Sequence, residues 1–162
     1  MSFSVQDPLT LFSQWLEEAA ATEVNDPNAM ALATADSDGT LSNRIVLLKG
    51  HDHHGFRFFT NYEGRKGKAL EANPRAAALF HWKTLDRQVR LEGPVSRLST
   101  EESQAYYDTR ARGSRIGAWA SLQSKPLPER AALEDRIAAF EAKFEGQEQF
   151  SKPDYWGGFI IQ

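Results

Sequence analysis

Arg44 and Lys49 bracket the apolar run IVLL, Thr60 closes the segment FRFFT, and Arg65 with Lys66 opens RKGKALEAN. Each of these side chains falls at a predicted strand end or helix start. A phosphate ester is held by this combination, because a helix N-terminus offers free N–H groups and the positive end of its dipole, while Arg and Lys add charge-assisted hydrogen bonds. Taken singly, each also reads as a solvated surface charge, the common fate of Lys and Arg.

A second set lies in YYDTRARGSRIGAWASLQS. Tyr106 and Arg110 are four residues apart, which places them on one face of a predicted helix, and Ser114 follows just past its end. They form a second candidate anion pocket, although a solvated helix end accounts for the same residue types. Two such pockets on a chain of net charge -3 point to two phosphorylated ligands. The run HDHH at 51–54 suggests a metal site, but it falls in a tight turn ending at Gly55 with only Asp52 as a local carboxylate, so solvated histidines and no metal are expected. No Gly-x-Ser-x-Gly, Walker-type loop or dinucleotide fingerprint is present. Trp15, Trp82, Trp119 and Trp156 are assigned to the core.

Composition bounds the rest. Lys and Arg total 19 against 22 acidic residues, so the chain lacks the basic field that drives non-specific nucleic-acid binding. The absence of cysteine removes disulfides, thiolate metal sites and cysteine nucleophiles. The N-terminus has no basic region leading into an apolar stretch, and no run approaches the roughly 18 apolar residues of a membrane span. A cytoplasmic protein of one domain over 1–162, without nucleic-acid or membrane partners, is the expectation.

The elements that must position these residues follow from periodicity. Asp7 before Pro8 starts a helix carrying Leu9, Phe12, Leu16 and Ala19 at helical spacing. AMALATA and TLSNRIVLLKG then form a hairpin around Asp38-Gly39, and FRFFTN is a third strand after the turn HDHHG. RKGKALEAN is a short helix stopped by Pro74, followed by strands AAALFHWK and RQVRLEGPVSRL. Ser99 and Glu102 make a capping box for a helix through about Arg110, and a further helix covers Pro128 to Phe144, with Leu133, Ile137, Phe140 and Phe144 on one face. YWGGFIIQ reads as a strand cut off as it begins. Five or six strands joined by short turns suggest a mainly β, antiparallel fold that closes as a barrel with helices outside it. A doubly wound parallel sheet is disfavoured, since the first two strands leave no room for a crossover helix.

The stretches DPLTLFSQW, RIVLLKG, FFTNYEGRKG, RQVRLEG, SRIGAWASLQS and YWGGF, in this order and at these separations, resemble the bacterial pyridoxamine 5'-phosphate oxidase family across nearly the whole chain. The resemblance implies an FMN-binding split β-barrel with peripheral helices, working as a homodimer with FMN at the subunit boundary. It implies oxidation of pyridoxamine or pyridoxine 5'-phosphate to pyridoxal 5'-phosphate by dioxygen. By the same resemblance Arg44, Ile45, Val46, Leu47, Leu48 and Lys49 line the FMN, with Phe59 and Thr60 beside it, and the family usually has tyrosine at the position of Phe59. Arg65 and Lys66 would hold the FMN phosphate, and Gln88, Gln123 and Ser124 would add contacts. Lys49, Tyr106, Arg110 and Ser114 would hold the substrate phosphate. The implied chemistry is a two-electron transfer from the substrate C4' carbon to the flavin, with hydrogen peroxide as the second product. In that scheme the protein stacks and anchors the substrate, with no protein nucleophile.

Family members usually continue past WGGF into a further strand and a segment of the type Arg-x-x-Arg-Leu-His-Asp-Arg, whose arginine and histidine sit over the substrate. The residues here run to Gln162, and an arginine-rich N-terminal lead is not among them. No catalytic residue is therefore assigned. The expectation is either a shortened form or a flavin-binding relative, flavin reductase-like, with altered or no oxidase activity; such a chain would bind FMN and pyridoxal 5'-phosphate but turn over slowly. A carrier of pyridoxal 5'-phosphate without turnover is the third reading, and it would show no flavin colour.

Overall fold

In the computed structural model, which describes residues 7–162, Asp7 Oδ2 accepts the backbone N–H of Thr10 at 2.8 Å and starts helix α1 (Pro8–Thr22). The first six residues, to which the expectation of no basic-then-apolar leader extends, lie outside the described residues. The expected hairpin is strands β1 (Ala29–Ala35) and β2 (Leu41–Leu47). Gly39 adopts φ +83 in its turn, a conformation open to glycine, and the Asp38 carboxylate accepts from Thr40 N. Strands β3 (Gly50–Asp52) and β4 (Gly55–Asn61), helix α2 (Arg65–Ala72), strands β5 (Arg75–Trp82) and β6 (Arg87–Arg97), helices α3 (Thr100–Asp108), α4 (Arg112–Ala120) and α5 (Arg130–Lys143), and strand β7 (Trp156–Ile161) follow.

All pairings are antiparallel, in the order β2-β1-β5-β6-β7-β4-β3. The two edge strands, β2 and β3, are neighbours in the chain, joined only by Leu48 and Lys49. Laid flat, seven strands would separate these edges by about 29 Å, from six inter-strand spacings of about 4.8 Å. Two linking residues cannot span that distance, so the sheet must curl until its edges meet. Lys49 N donates to Arg57 O across the meeting point at 2.8 Å, while β2 keeps no ladder with β4. The result is a split barrel whose seam runs between β2 and β4. The long strand β6 makes the curl possible, pairing with β5 through Arg87–Pro94 and with β7 through Val95–Arg97.

Inward residues of the strands, among them Leu32, Phe58, Phe80, Trp82 and Phe159, fill the barrel, and Phe12 of α1 closes one end against Phe56 and Phe80. A second cluster, including Tyr107, Ile116, Phe144, Phe150 and Trp156, packs helices α3 to α5 outside β4 and β7.

The structure corrects several expectations. Seven strands form, not five or six, because HDHH is not a plain turn: residues 50–52 pair with β4, and only His53 and His54 make the bend. His51 is half-buried rather than free in solvent; it packs edge-on to Phe12 at 4.9 Å and shares a hydrogen bond with Ser13 Oγ at 2.8 Å. Strand β7 runs over six residues, all buried, pairing with β4 along its length and with β6 through Phe159–Ile161. The capped helix ends at Asp108, so Arg110 lies beyond it, and Ser114 sits inside a helix, α4, that periodicity did not reveal.

Candidate binding cleft at the barrel seam

Along the seam, a cleft of about 260 Å³ is lined by Ile45, Val46, Leu47 and Lys49 from the β2 edge, Phe59 and Thr60 from β4, Lys66 of α2, Tyr106 and Arg110, Gln123 and Trp156. An adjoining pocket of about 240 Å³ is lined by Ser42, Asn43, Arg44, Arg65, Lys66 and Ser124. Lys66 borders both.

The smaller pocket is strongly cationic. Arg44 is held by Leu32 O at 3.1 Å, Thr34 Oγ1 at 2.8 Å and Ser42 Oγ. Lys66 Nζ donates to Gln123 Oε1 at 2.7 Å and to Thr60 Oγ1 at 3.1 Å. Burial lowers the Lys66 pKa, and the charge of Arg44 adds to the effect; burial and then Arg65 do the same to Arg44. The nearest carboxylate to Arg65 is Asp36 at 3.6 Å. Helix α2 begins here after Gly64, which has no side chain to cap it, and its first N–H, that of Arg65, donates to Ser124 Oγ at 3.1 Å. Three cations, the positive end of a helix and one weakly placed carboxylate make a site suited to a doubly charged anion. Gly67 lets α2 fold back tightly on the turn that leaves β4, since a Cβ there would stand 2.2 Å from Tyr62 O.

The opposite wall is aromatic. Phe59 stacks on Tyr106 at 3.9 Å and lies 5.6 Å from Trp156 at an interplanar angle of 16°. Gly158 faces Phe59 across the β4–β7 ladder, and its missing Cβ would stand 2.8 Å from Phe59 Cε1, so glycine is what allows the ring to lie across the strand. Burial raises the Tyr106 pKa against the opposing charge of Arg110, and it pushes that of Tyr107 up to about 12.

Most of the residues expected from sequence thus converge: Arg44, Ile45, Val46, Leu47, Lys49, Phe59, Thr60, Arg65, Lys66, Tyr106, Arg110, Gln123 and Ser124 all border one pocket or the other. Three do not. Leu48 is 4% exposed and points into the barrel core, because the chain turns inward between β2 and β3. Ser114 is exposed on the first turn of α4, outside the lining of either pocket. Gln88 lies on the outward side of β6, opposite His81, away from this chain's own cleft. Trp156, assigned to the core from sequence, is buried and also lines the cleft. Among the described residues no helix is long and apolar enough to cross a membrane, and no group of three or more His, Asp or Glu is placed to hold a metal ion.

A seven-stranded antiparallel split barrel with a cation-lined cleft at its seam is the class that fold and geometry define. The sequence pattern of the pyridoxamine 5'-phosphate oxidase family matches residues 16–144, and the chain belongs to that family. It is 56% identical to a pyridoxine/pyridoxamine 5'-phosphate oxidase of Cupriavidus taiwanensis, over 96% of this chain and 72% of that protein. The enzyme of the same description from Sinorhizobium fredii is 54% identical over 96% of this chain and 75% of its own length. Among solved structures, PhzG from Burkholderia lata 383, determined with tetrahydrophenazine-1-carboxylic acid, superposes with a TM-score of 0.88 at 30% identity, covering 96% of this chain and 76% of that one. A pyridoxamine 5'-phosphate oxidase-related, FMN-binding protein of Nostoc punctiforme shares the fold, with a TM-score of 0.70 at 15% identity over 100% and 82% of the two chains.

Proposed function

We propose that this chain binds FMN at the seam and oxidises pyridoxamine or pyridoxine 5'-phosphate to pyridoxal 5'-phosphate with dioxygen. The observation that carries the reading is that two cationic sets, Arg44 with Arg65 and Lys66, and Lys49 with Arg110, line two adjoining pockets that share Lys66, the second walled by aromatic rings. A flavin phosphate fits the first set, whose three cations face one carboxylate, and bound FMN supplies the two-electron redox step. The chain's own residues do the rest: Lys49 and Arg110 neutralise the substrate phosphate, Phe59 and Tyr106 present a flat apolar wall to its ring, and the barrel edge at Ile45–Leu47 fixes the distance between the two ligands. The substrate C4' carbon is oxidised and dioxygen is reduced to hydrogen peroxide; the amine substrate also takes up water and releases ammonia.

The working form in this reading is a homodimer. Its support is the outward side of the sheet, where Ala31, Leu41, Ile45, Ala77 and Leu79 form an open face that continues to Gln88. Ile45 borders both that face and the cleft, so a second copy laid there would complete the cleft and bring its own Gln88 toward it.

The test is the visible spectrum of the purified chain followed by assay of pyridoxal 5'-phosphate and peroxide. The expected result is a flavin spectrum and formation of both products. Replacing Arg65 and Lys66 together by alanine should weaken FMN at least about tenfold, since each charge-assisted contact contributes about 1.5–3 kcal/mol. Bound flavin without either product would favour a flavin-binding relative that lacks the oxidase step. Phosphate-ester binding without flavin would favour a carrier.

A further inference from the structure

Arg110 is an unusual cation. It lies just past the end of α3, and its Nη1 is buried without a hydrogen-bond partner. No carboxylate of the described residues is within ion-pair distance of it. What it has is a ring: its Cζ stands 4.8 Å from the centroid of Trp156. That indole is itself immobilised, 6% exposed, near-parallel to Phe59 and Tyr106 and edge-packed by Tyr107 at 5.3 Å.

A carboxylate would hold a guanidinium through its in-plane N–H groups and so consume the donors an anion needs. An aromatic face attracts the same cation through its π cloud and leaves those donors free. The contact also offsets part of the cost of desolvating the charge, a cost that shows in the lowered Arg110 pKa, which burial causes and the phenol oxygens of Tyr106 and Tyr107 partly oppose.

We infer that Trp156 is the positioning residue for the substrate phosphate: it holds Arg110 by its ring face so that the guanidinium edge meets the anion. This rests on the proposed use of the cleft by a phosphate ester. Trp156 acts through Arg110, and its effect is therefore confined to the phosphorylated end of the ligand.

The experiment is a double-mutant cycle in the FMN-loaded full chain with W156L, W156F, R110A and both combinations, titrated with pyridoxal 5'-phosphate and with phosphate-free pyridoxal. W156L is expected to weaken pyridoxal 5'-phosphate about tenfold, the order of effect of a desolvated cation–π contact, and W156F about threefold. Pyridoxal affinity should not change. In the R110A background neither substitution should weaken pyridoxal 5'-phosphate further, and in turnover the loss should fall on KM more than on kcat. Should W156L fail to fold, the W156F pair decides, with flavin content as the check on folding. Equal losses with and without Arg110, or equal losses for the two ligands, would overturn the inference and make Trp156 part of the packing alone. If the unsubstituted chain binds pyridoxal 5'-phosphate no better than pyridoxal, the phosphate-ester reading of the cleft fails and takes this one with it. Phosphate-dependent binding that W156L leaves intact removes only the role of Trp156.

Discussion

Lys66 is the residue on which both pockets turn, and its protonation is where pH should act. Burial and the charge of Arg44 lower its pKa below the ordinary 10.5, so it sheds its proton at a lower pH than a solvated lysine would. The protonated form is the one that attracts a phosphate, so FMN affinity should fall as pH rises toward 10.5, beginning earlier than an unperturbed lysine would allow. Arginine at this position stays charged throughout. The expected outcome in flavin-fluorescence titrations across pH 8 to 10.5 is a decline for the native chain that K66R flattens. Parallel declines in both proteins would show that Lys66 does not carry the pH dependence. The contacts to Gln123 and Thr60 also explain why a lysine, with its compact and rotatable head, can serve a pocket on either side.

At the scale of elements, the tight fold-back of α2 on the turn after β4 is what brings the helix start to the seam, and Gly67 is its weak point. Alanine is the better helix former by about 1 kcal/mol, so G67A would stabilise an isolated α2. Here its Cβ would meet Tyr62 backbone atoms at 2.2 to 2.6 Å, and backbone cannot step aside as a flexible side chain can. The sign therefore reverses: G67A should lower Tm by several degrees and reduce flavin content, measured by thermal unfolding with and without FMN. An unchanged or higher Tm would mean that α2 is free to shift outward. The same scale shows what was legible beforehand. The β1–β2 hairpin, α1 and the Ser99 capping box could be read because local chemistry, a turn glycine or a side-chain cap, dictates them. Helix α4 could not, because RGSRIGAWA carries two glycines and is held from outside: Arg112 and Arg115 donate to carbonyls of residues 144 to 148, and Arg115 O accepts from Tyr107 Oη. Trp156 was half read for a related reason. Every residue of β7 is buried, so alternation cannot tell the face that meets the cleft from the face that meets the barrel core.

At the scale of the molecule, the seam leaves the outer side of β2, β1 and β5 as a face carrying small and apolar residues, with Leu41 77% and Ile45 64% exposed, bordered by the polar outer side of β6 at Gln88, Arg90 and Glu92. Large exposed aliphatics on an alanine-rich sheet face are the pattern of a covered surface. A symmetric pair would cover the same face on both chains, as an isologous interface requires, and would place the border residue Ile45 of each chain beside the other. The substitution that separates assembly from folding is L79E. Leu79 is outward on β5, directly across the ladder from Arg90 on β6, so a glutamate there has a cation beside it in the free chain and the fold should tolerate it. In a dimer the same carboxylate would be pressed against an apolar partner surface. Light scattering at micromolar concentration should therefore give twice the chain mass for the native protein and the single chain mass for L79E. FMN retention should fall with the loss of the partner, because Leu79 lines neither pocket of the seam and can reach the cofactor only through assembly. A native chain that is monomeric and fully flavin-loaded would contradict the dimer. An L79E chain that is monomeric yet keeps its flavin would show that each barrel binds FMN by itself, and that Gln88 has no part in the site.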